Sequence, residues 1–105
     1  METITAGELK ALLDAGSQAL LLDVREKWEY DICRISSSVN IPMSEIMNKF
    51  DKLDKDQDIV VICHHGMRSL QVANYLENAG FKNLKNLEGG LAAWSETIEP
   101  GMPRY

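Results

Sequence analysis

Apolar positions along the chain change their period several times, and each change marks an element. Ile4, between polar neighbours, predicts a short edge strand; Leu9, Leu12 and Leu13 then recur at helical spacing as far as Gly16. The segment Thr5-Ala6-Gly7-Glu8 that opens this helix has the form of a capping box, in which hydroxyl and carboxylate satisfy each other's backbone donors. Ala19 to Leu22 is apolar without alternation, which predicts a strand buried on both faces that stops near Asp23. Val39 to Ile41, closed by Pro42, predicts another short strand, and Ser44 is placed to cap a helix with Ile46, Met47 and Phe50 facing inward. After the polar turn from Asp54 to Asp58 comes Ile59-Val60-Val61-Ile62, the clearest buried strand in the chain. Leu70, Ala73, Leu76 and Ala79 then write a helix that Gly80 ends. Phe81 to Leu87 contains a last strand, Gly89-Gly90 a tight turn, and Leu91 to Trp94 the start of a closing helix.

Strands that alternate with helices predict an α/β fold with a mostly parallel sheet and helices on both faces. In such sheets the site lies beyond the carboxyl ends of the strands, so the segment leaving the best strand is the first place to look for chemistry. Neither a repeat nor a linker interrupts the 105 residues, and the whole chain, 1–105, is expected to be one domain. A net charge of −5 argues against the basic face that nucleic acid or a membrane surface would need. No apolar run approaches the ~20 residues that span a bilayer, and the N-terminus lacks the basic and apolar regions of a signal peptide. Two cysteines do not make a disulfide scaffold. A soluble, cytoplasmic protein with no nucleic-acid or membrane partner is the expectation, and any anion it holds must be gripped locally.

The segment after the best strand is Cys63-His64-His65-Gly66-Met67-Arg68-Ser69, which holds both histidines and one of the two cysteines. A thiol at a strand end, with a helix opening just after it, faces backbone N–H groups that have no partner inside the helix. Those donors, the helix dipole and a nearby Arg68 favour the thiolate, which is the nucleophilic form. Gly66 lets the loop curl and turn its N–H groups inward. Four residues separate Cys63 from Arg68. Cysteine phosphatases place one residue more there, which makes a ring of amides wide enough for a tetrahedral phosphate. The shorter loop makes a smaller cradle, suited to the terminal sulfur of a persulfide, whose charge rests on one atom.

This loop resembles the active-site loop of rhodanese-like domains. Further segments match in the expected order: Leu22-Asp23-Val24-Arg25-Glu26 with Glu29-Tyr30, then Val39-Asn40-Ile41-Pro42, then Leu87-Glu88-Gly89-Gly90 with Trp94. Together they cover nearly the whole chain. Gly90-Leu91-Ala92-Ala93-Trp94 and Pro103-Arg104-Tyr105 resemble a narrower group, rhodanese domains fused to or partnered with adenylyltransferases that activate sulfur-carrier proteins. The resemblance implies a doubly wound fold and a persulfide on Cys63. It also implies transfer from thiosulfate or a protein persulfide to a thiophilic acceptor, with a sulfur-carrier or persulfide-bearing protein as a candidate partner. Cys33-Arg34-Ile35 departs from the family's usual Gly-His-Ile, and Ser36-Ser37 replaces its small-residue turn.

Cys63 is the expected nucleophile, and His64, His65, Gly66, Met67, Arg68 and Ser69 are the expected substrate-binding residues, with Arg68 helping to attract an anionic donor. The histidines are read as loop-lining groups that add positive character when protonated. Three adjacent candidates cannot easily wrap one zinc ion, so neither a metal nor another cofactor is expected. Asp23 and Arg25 are read as ordering their loop by hydrogen bonds, Glu29 and Tyr30 as scaffold, and Cys33 as a half-buried structural cysteine. Trp28 and Trp94 are assigned to core or rim. Two alternatives to a sulfurtransferase remain: a non-catalytic module that uses the fold to dock a partner, and a small cysteine phosphatase or arsenate reductase.

Overall fold

The structure is a computed structural model that describes residues 2–105. Along the chain it contains β1 (Glu2–Ile4), α1 (Ala6–Asp14), β2 (Leu20–Asp23), α2 (Lys27–Ile32) and β3 (Val39–Asn40). The second half contributes α3 (Ile46–Lys49), β4 (Ile59–Ile62), α4 (Met67–Asn78), β5 (Leu84–Leu87) and α5 (Gly90–Thr97). The strands form one five-stranded sheet in the order β1-β5-β4-β2-β3, and every neighbouring pair is parallel. No helix among the described residues is long and apolar enough to cross a membrane.

The absence of alternation in β4 follows from its position at the centre of this sheet. Val60 and Ile62 pack with Ile4, Leu9, Leu21, Leu87, Leu91 and Trp94 on the face covered by α1 and α5. Ile59 and Val61 pack with Leu22, Ile46, Val72, Ala73 and Leu76 on the face covered by α3 and α4. A strand covered on both sides must be apolar at every position. Burying side chains such as Leu9 and Leu76 completely contributes about 1.5–3 kcal/mol each to this double-layered core.

The start of α1 and the end of α4 follow the sequence, while α4 opens at Met67, inside the segment read as loop. Glu8 N–H donates to Thr5 Oγ1 at 3.1 Å and Thr5 N–H to a Glu8 carboxylate oxygen at 2.9 Å, closing the capping box. At the end of α4, Gly80 has a φ of 102°, and Gly80 N–H and Phe81 N–H return to the carbonyls of Glu77 and Leu76. This is a Schellman ending. It draws Phe81 into the helix stop, and β5 therefore begins only at Leu84.

Other expectations need correction. Ser44 caps nothing: it lies inside a 3-10 turn, Met43–Glu45, that follows Pro42. The helix behind it is a single turn flanked by two 3-10 turns, too short to bury two faces, so Ile46 is buried while Met47 is 68% exposed. α2 has no counterpart in the apolar pattern because its buried residue is the charged Glu29. Backbone and side-chain bonds between Glu26 and Glu29 open it, and a Lys27–Asp31 ion pair at 2.7 Å spans its outer side. Cys33, read as half-buried, is buried at the end of this helix.

Candidate active site

Because all five strands are parallel, Asp23 at the end of β2 and Cys63 after β4 reach the same edge of the sheet. Cys63 is 1% exposed, and both cysteines are free thiols. Its backbone is held from outside the loop. Leu91 N–H donates to Cys63 O at 2.8 Å, and Ala92 N–H donates to His64 O at 2.9 Å. These donors belong to the first turn of α5, whose N–H groups have no acceptor within the helix. In a trans peptide the carbonyl and the next N–H point in opposite directions. Fixing the two carbonyls on α5 therefore turns the N–H groups of His64 and His65 away from that helix.

The contact requires glycine at position 90. A Cβ there would stand 2.5 Å from the carbonyl oxygens of both Cys63 and His64, and the residue has a φ of 59°. Gly66 is the second requirement. It sits at a φ of 100° as the N-cap of α4, and this left-handed turn brings its own N–H to Cys63 Sγ at 3.0 Å. The sulfur thus faces one loop amide directly and lies at the N-terminus of a twelve-residue helix, whose dipole favours an anion. Ser69 Oγ also lies 3.3 Å from Cys63 Sγ. The Ser69 hydroxyl donates to Asn86 Oδ1, and Asn86 Nδ2 donates to Gly66 O at 3.1 Å.

Arg68 begins the same helix but is already engaged. Its Nη1 and Nη2 donate to the two carboxylate oxygens of Glu29 at 2.6 and 2.8 Å. The Tyr105 hydroxyl donates to Glu29 at 2.7 Å and accepts from Arg25 Nη1 at 3.1 Å. Arg25, fully buried, also grips Asp23 through Nε and Nη2, the latter at 2.7 Å, and donates to Cys33 O at 2.6 Å. Two arginines, two carboxylates and a tyrosine thus form one chain of charge-assisted bonds. The Arg68 guanidinium, with help from Tyr105, holds the Glu29 carboxyl down at about 2. Burial, with Glu29 close by, pushes the Tyr105 phenol up to about 12.

His64 and His65 stack with ring centroids 4.2 Å apart, and Tyr105 leans on His64 at 4.6 Å. Burial and the neighbouring His65 push His64 below its ordinary value, so it is less able to supply the positive charge expected of it. Beside the histidines a cleft of about 210 Å³ is bounded by Cys33, Ala92, Arg104 and Tyr105. Met67, 68% exposed, faces outward from the first turn of α4.

The structure therefore gathers Cys63, Gly66 and Ser69 around one sulfur, sets His64 and His65 on the adjoining cleft, and directs Arg68 to Glu29. Asp23 and Arg25 order their loop, as read; Glu29, assigned to scaffold, is the anchor of Arg68. Trp28 is at the rim, 58% exposed and edge-on to Tyr105, whereas Trp94 is in the core. Sequence reasoning missed Asn86 and the clamp from α5. An asparagine within a strand, where that residue is disfavoured, was the available signal for the first; a glycine pair before a helix was the signal for the second.

Comparison with known proteins agrees with this geometry. The model of the rhodanese-like domain family matches residues 5–97. The Bacillus subtilis protein YtwF, named provisionally as a sulfurtransferase, is 40% identical over 95% of this chain and 96% of its own length. The maize adenylyltransferase and sulfurtransferase MOCS3-2 is 38% identical over 97% of this chain, which spans only 23% of that larger protein. Among solved structures, a rhodanese-related protein from Thermoplasma volcanium superposes with a TM-score of 0.86 at 36% identity, covering 95% of this chain and 96% of its own. On its sequence, its sheet order and the loop that follows β4, the chain belongs to the rhodanese-like domain family.

Proposed function

We propose that residues 1–105 act as one sulfurtransferase domain in which Cys63 carries sulfur as a persulfide. In the first half-reaction Cys63 Sγ attacks the outer sulfur of an anionic donor such as thiosulfate. A new S–S bond forms, the donor's S–S bond breaks with its electron pair on the departing sulfite, and the thiol proton leaves with it as bisulfite. In the second half a thiophilic acceptor attacks the outer sulfur. The pair of the broken bond returns to Sγ, which regains a proton. Cyanide serves as acceptor in the test tube, and a protein thiol or a sulfur-carrier protein is the acceptor class in the cell; the maize relative joins an adenylyltransferase and a sulfurtransferase in its name.

One observation carries this reading: a loop amide already donates to Sγ at 3.0 Å while α5 fixes the two carbonyls beside it. With the Gly66 N–H engaged on Sγ, the other loop N–H groups between His64 and Ser69 would serve a charge located one sulfur beyond it. Donors that need no rearrangement at the moment of reaction are the strongest stabilisers of developing charge. Arg68 supports this arrangement by fixing the first turn of α4 on Glu29 and contributes only weakly to attracting the donor.

Thiocyanate production from thiosulfate and cyanide tests the proposal. Turnover by the protein, lost in Cys63→Ser, is the expected result. Hydrolysis of an aryl phosphate through Cys63 without thiocyanate would replace it with the phosphatase reading. A protein that does neither would be a docking module.

A further inference from the structure

Ser69 is fully buried and Asn86 nearly so, directly behind the reactive sulfur. The amide of Asn86 has one orientation open to it. Gly66 O can only accept, so the group facing it at 3.1 Å is Nδ2, and Oδ1 is the atom turned toward Ser69. Oδ1 in turn can only accept. The single Ser69 proton therefore lies between Oγ and Oδ1, and the side of Oγ that faces Cys63 Sγ at 3.3 Å is a lone pair. A lone pair suits an S–H and opposes a thiolate. The Gly66 N–H at the same sulfur fits either form.

We propose that Asn86 is a positioning residue that acts through Ser69 to keep the resting Cys63 sulfur protonated and to reserve negative charge for the outer sulfur of the persulfide. The inference rests on Cys63 being the sulfur carrier. For Ser69 to help a thiolate, its hydroxyl must swing to Sγ, which leaves Oγ and Asn86 Oδ1 facing each other with no proton between them. The persulfide meets no such obstacle. Its inner sulfur is bonded to a second sulfur and needs no donor, while the charge sits one atom farther out, away from the Ser69 lone pair. The empty site is thus guarded against alkylation and oxidation without a penalty on the loaded one.

The rate at which iodoacetamide alkylates Cys63, followed by peptide mass spectrometry across the neutral pH range, tests this in folded variants. Ser69→Ala removes the opposing lone pair, and Asn86→Ala frees the Ser69 proton for the sulfur. Each should speed alkylation near neutral pH by about tenfold, the effect of one hydrogen bond, and make the rate rise at lower pH. In a Ser69→Ala background, Asn86→Ala should add less than about twofold, because the two residues act on the sulfur as one unit. Asn86→Asp keeps the acceptor but not the bond to Gly66 O, so it should alkylate no faster than the unaltered protein. Slower alkylation of Ser69→Ala would overturn the proposal, as would an Asn86→Ala effect that survives without the Ser69 hydroxyl. Alkylation needs no sulfur donor. If the variants behave as expected while the protein takes no sulfur from thiosulfate, the sulfurtransferase reading fails with the persulfide half of the proposal, and only the guarding of the resting thiol by Asn86 and Ser69 stands.

Discussion

Two regions at the same sheet edge handle charge in opposite ways. The Cys63–Ser69 loop is built mainly from backbone: Gly66 N–H reaches Sγ, and α5 holds the carbonyls of Cys63 and His64. The network of Asp23, Arg25, Glu29, Arg68 and Tyr105 is built from side chains, drawn from both ends of the chain, and nearly every formal charge in it has a partner at hydrogen-bond distance. Arginines near a reactive cysteine advertise anion binding, yet here two of them meet carboxylates of the protein itself. What stands beside Sγ instead is neutral: the Gly66 N–H and the N-terminus of α4. The loop offers the sulfur a backbone donor, while the network's charges are spent on one another.

This contrast is sharpest at the sulfur. Cys63→Ser should leave the fold intact and lower sulfur transfer below detection, because an alcohol is a poor nucleophile and cannot hold a persulfide. Thiocyanate formation and circular dichroism on one sample check both halves. Gly90→Ala attacks the same loop from behind. Its Cβ would collide with two carbonyl oxygens at 2.5 Å and keep a positive φ, so stability should fall by about 3 kcal/mol in denaturant unfolding, with activity falling as the loop shifts.

In the network the effects should fall on stability first. Arg68→Ala leaves Glu29 without its cation. Breaking a fully buried pair costs about 3–5 kcal/mol, and since the Arg68 side chain is 33% exposed the expected loss is about 1–3 kcal/mol, with less than about tenfold in kcat/KM. A far larger kinetic than thermodynamic effect would mean that Arg68 binds the donor after all. The partner carboxyl gives a pH signature. Its value in the folded protein, about 2, lies below the 4.5 of an ordinary glutamate, so the stability it contributes is present above that ordinary value and is lost as pH falls toward 2. Unfolding of Glu29→Gln should lack this part of the acid dependence. Tyr105→Phe removes one hydroxyl that both donates and accepts, and about 1 kcal/mol of stability should go with it while turnover is largely kept.

How far each region can be read from sequence follows from how it is built. β4 and α4 were legible because burial on both faces and helical spacing leave apolar patterns, and the loop was legible because Cys63, Gly66 and Arg68 lie close together in the chain. α2 was not, since its buried face consists of Glu29. The pairing of Glu29 with Arg68 spans 39 residues and that with Tyr105 spans 76, separations over which no local pattern reports. The role of Gly90 was equally hidden: its need for glycine arises from carbonyls far away in the chain, and the sequence supplied only the turn.

A persulfide on Cys63 is read directly from the mass of the intact protein after exposure to thiosulfate and removal of the excess, with peptide mapping to place any change. One sulfur atom should be added, located on Cys63 and removed by cyanide, with no gain in Cys63→Ser. A protein that gains no sulfur, or gains it on Cys33 while Cys63 stays a free thiol, would contradict that assignment.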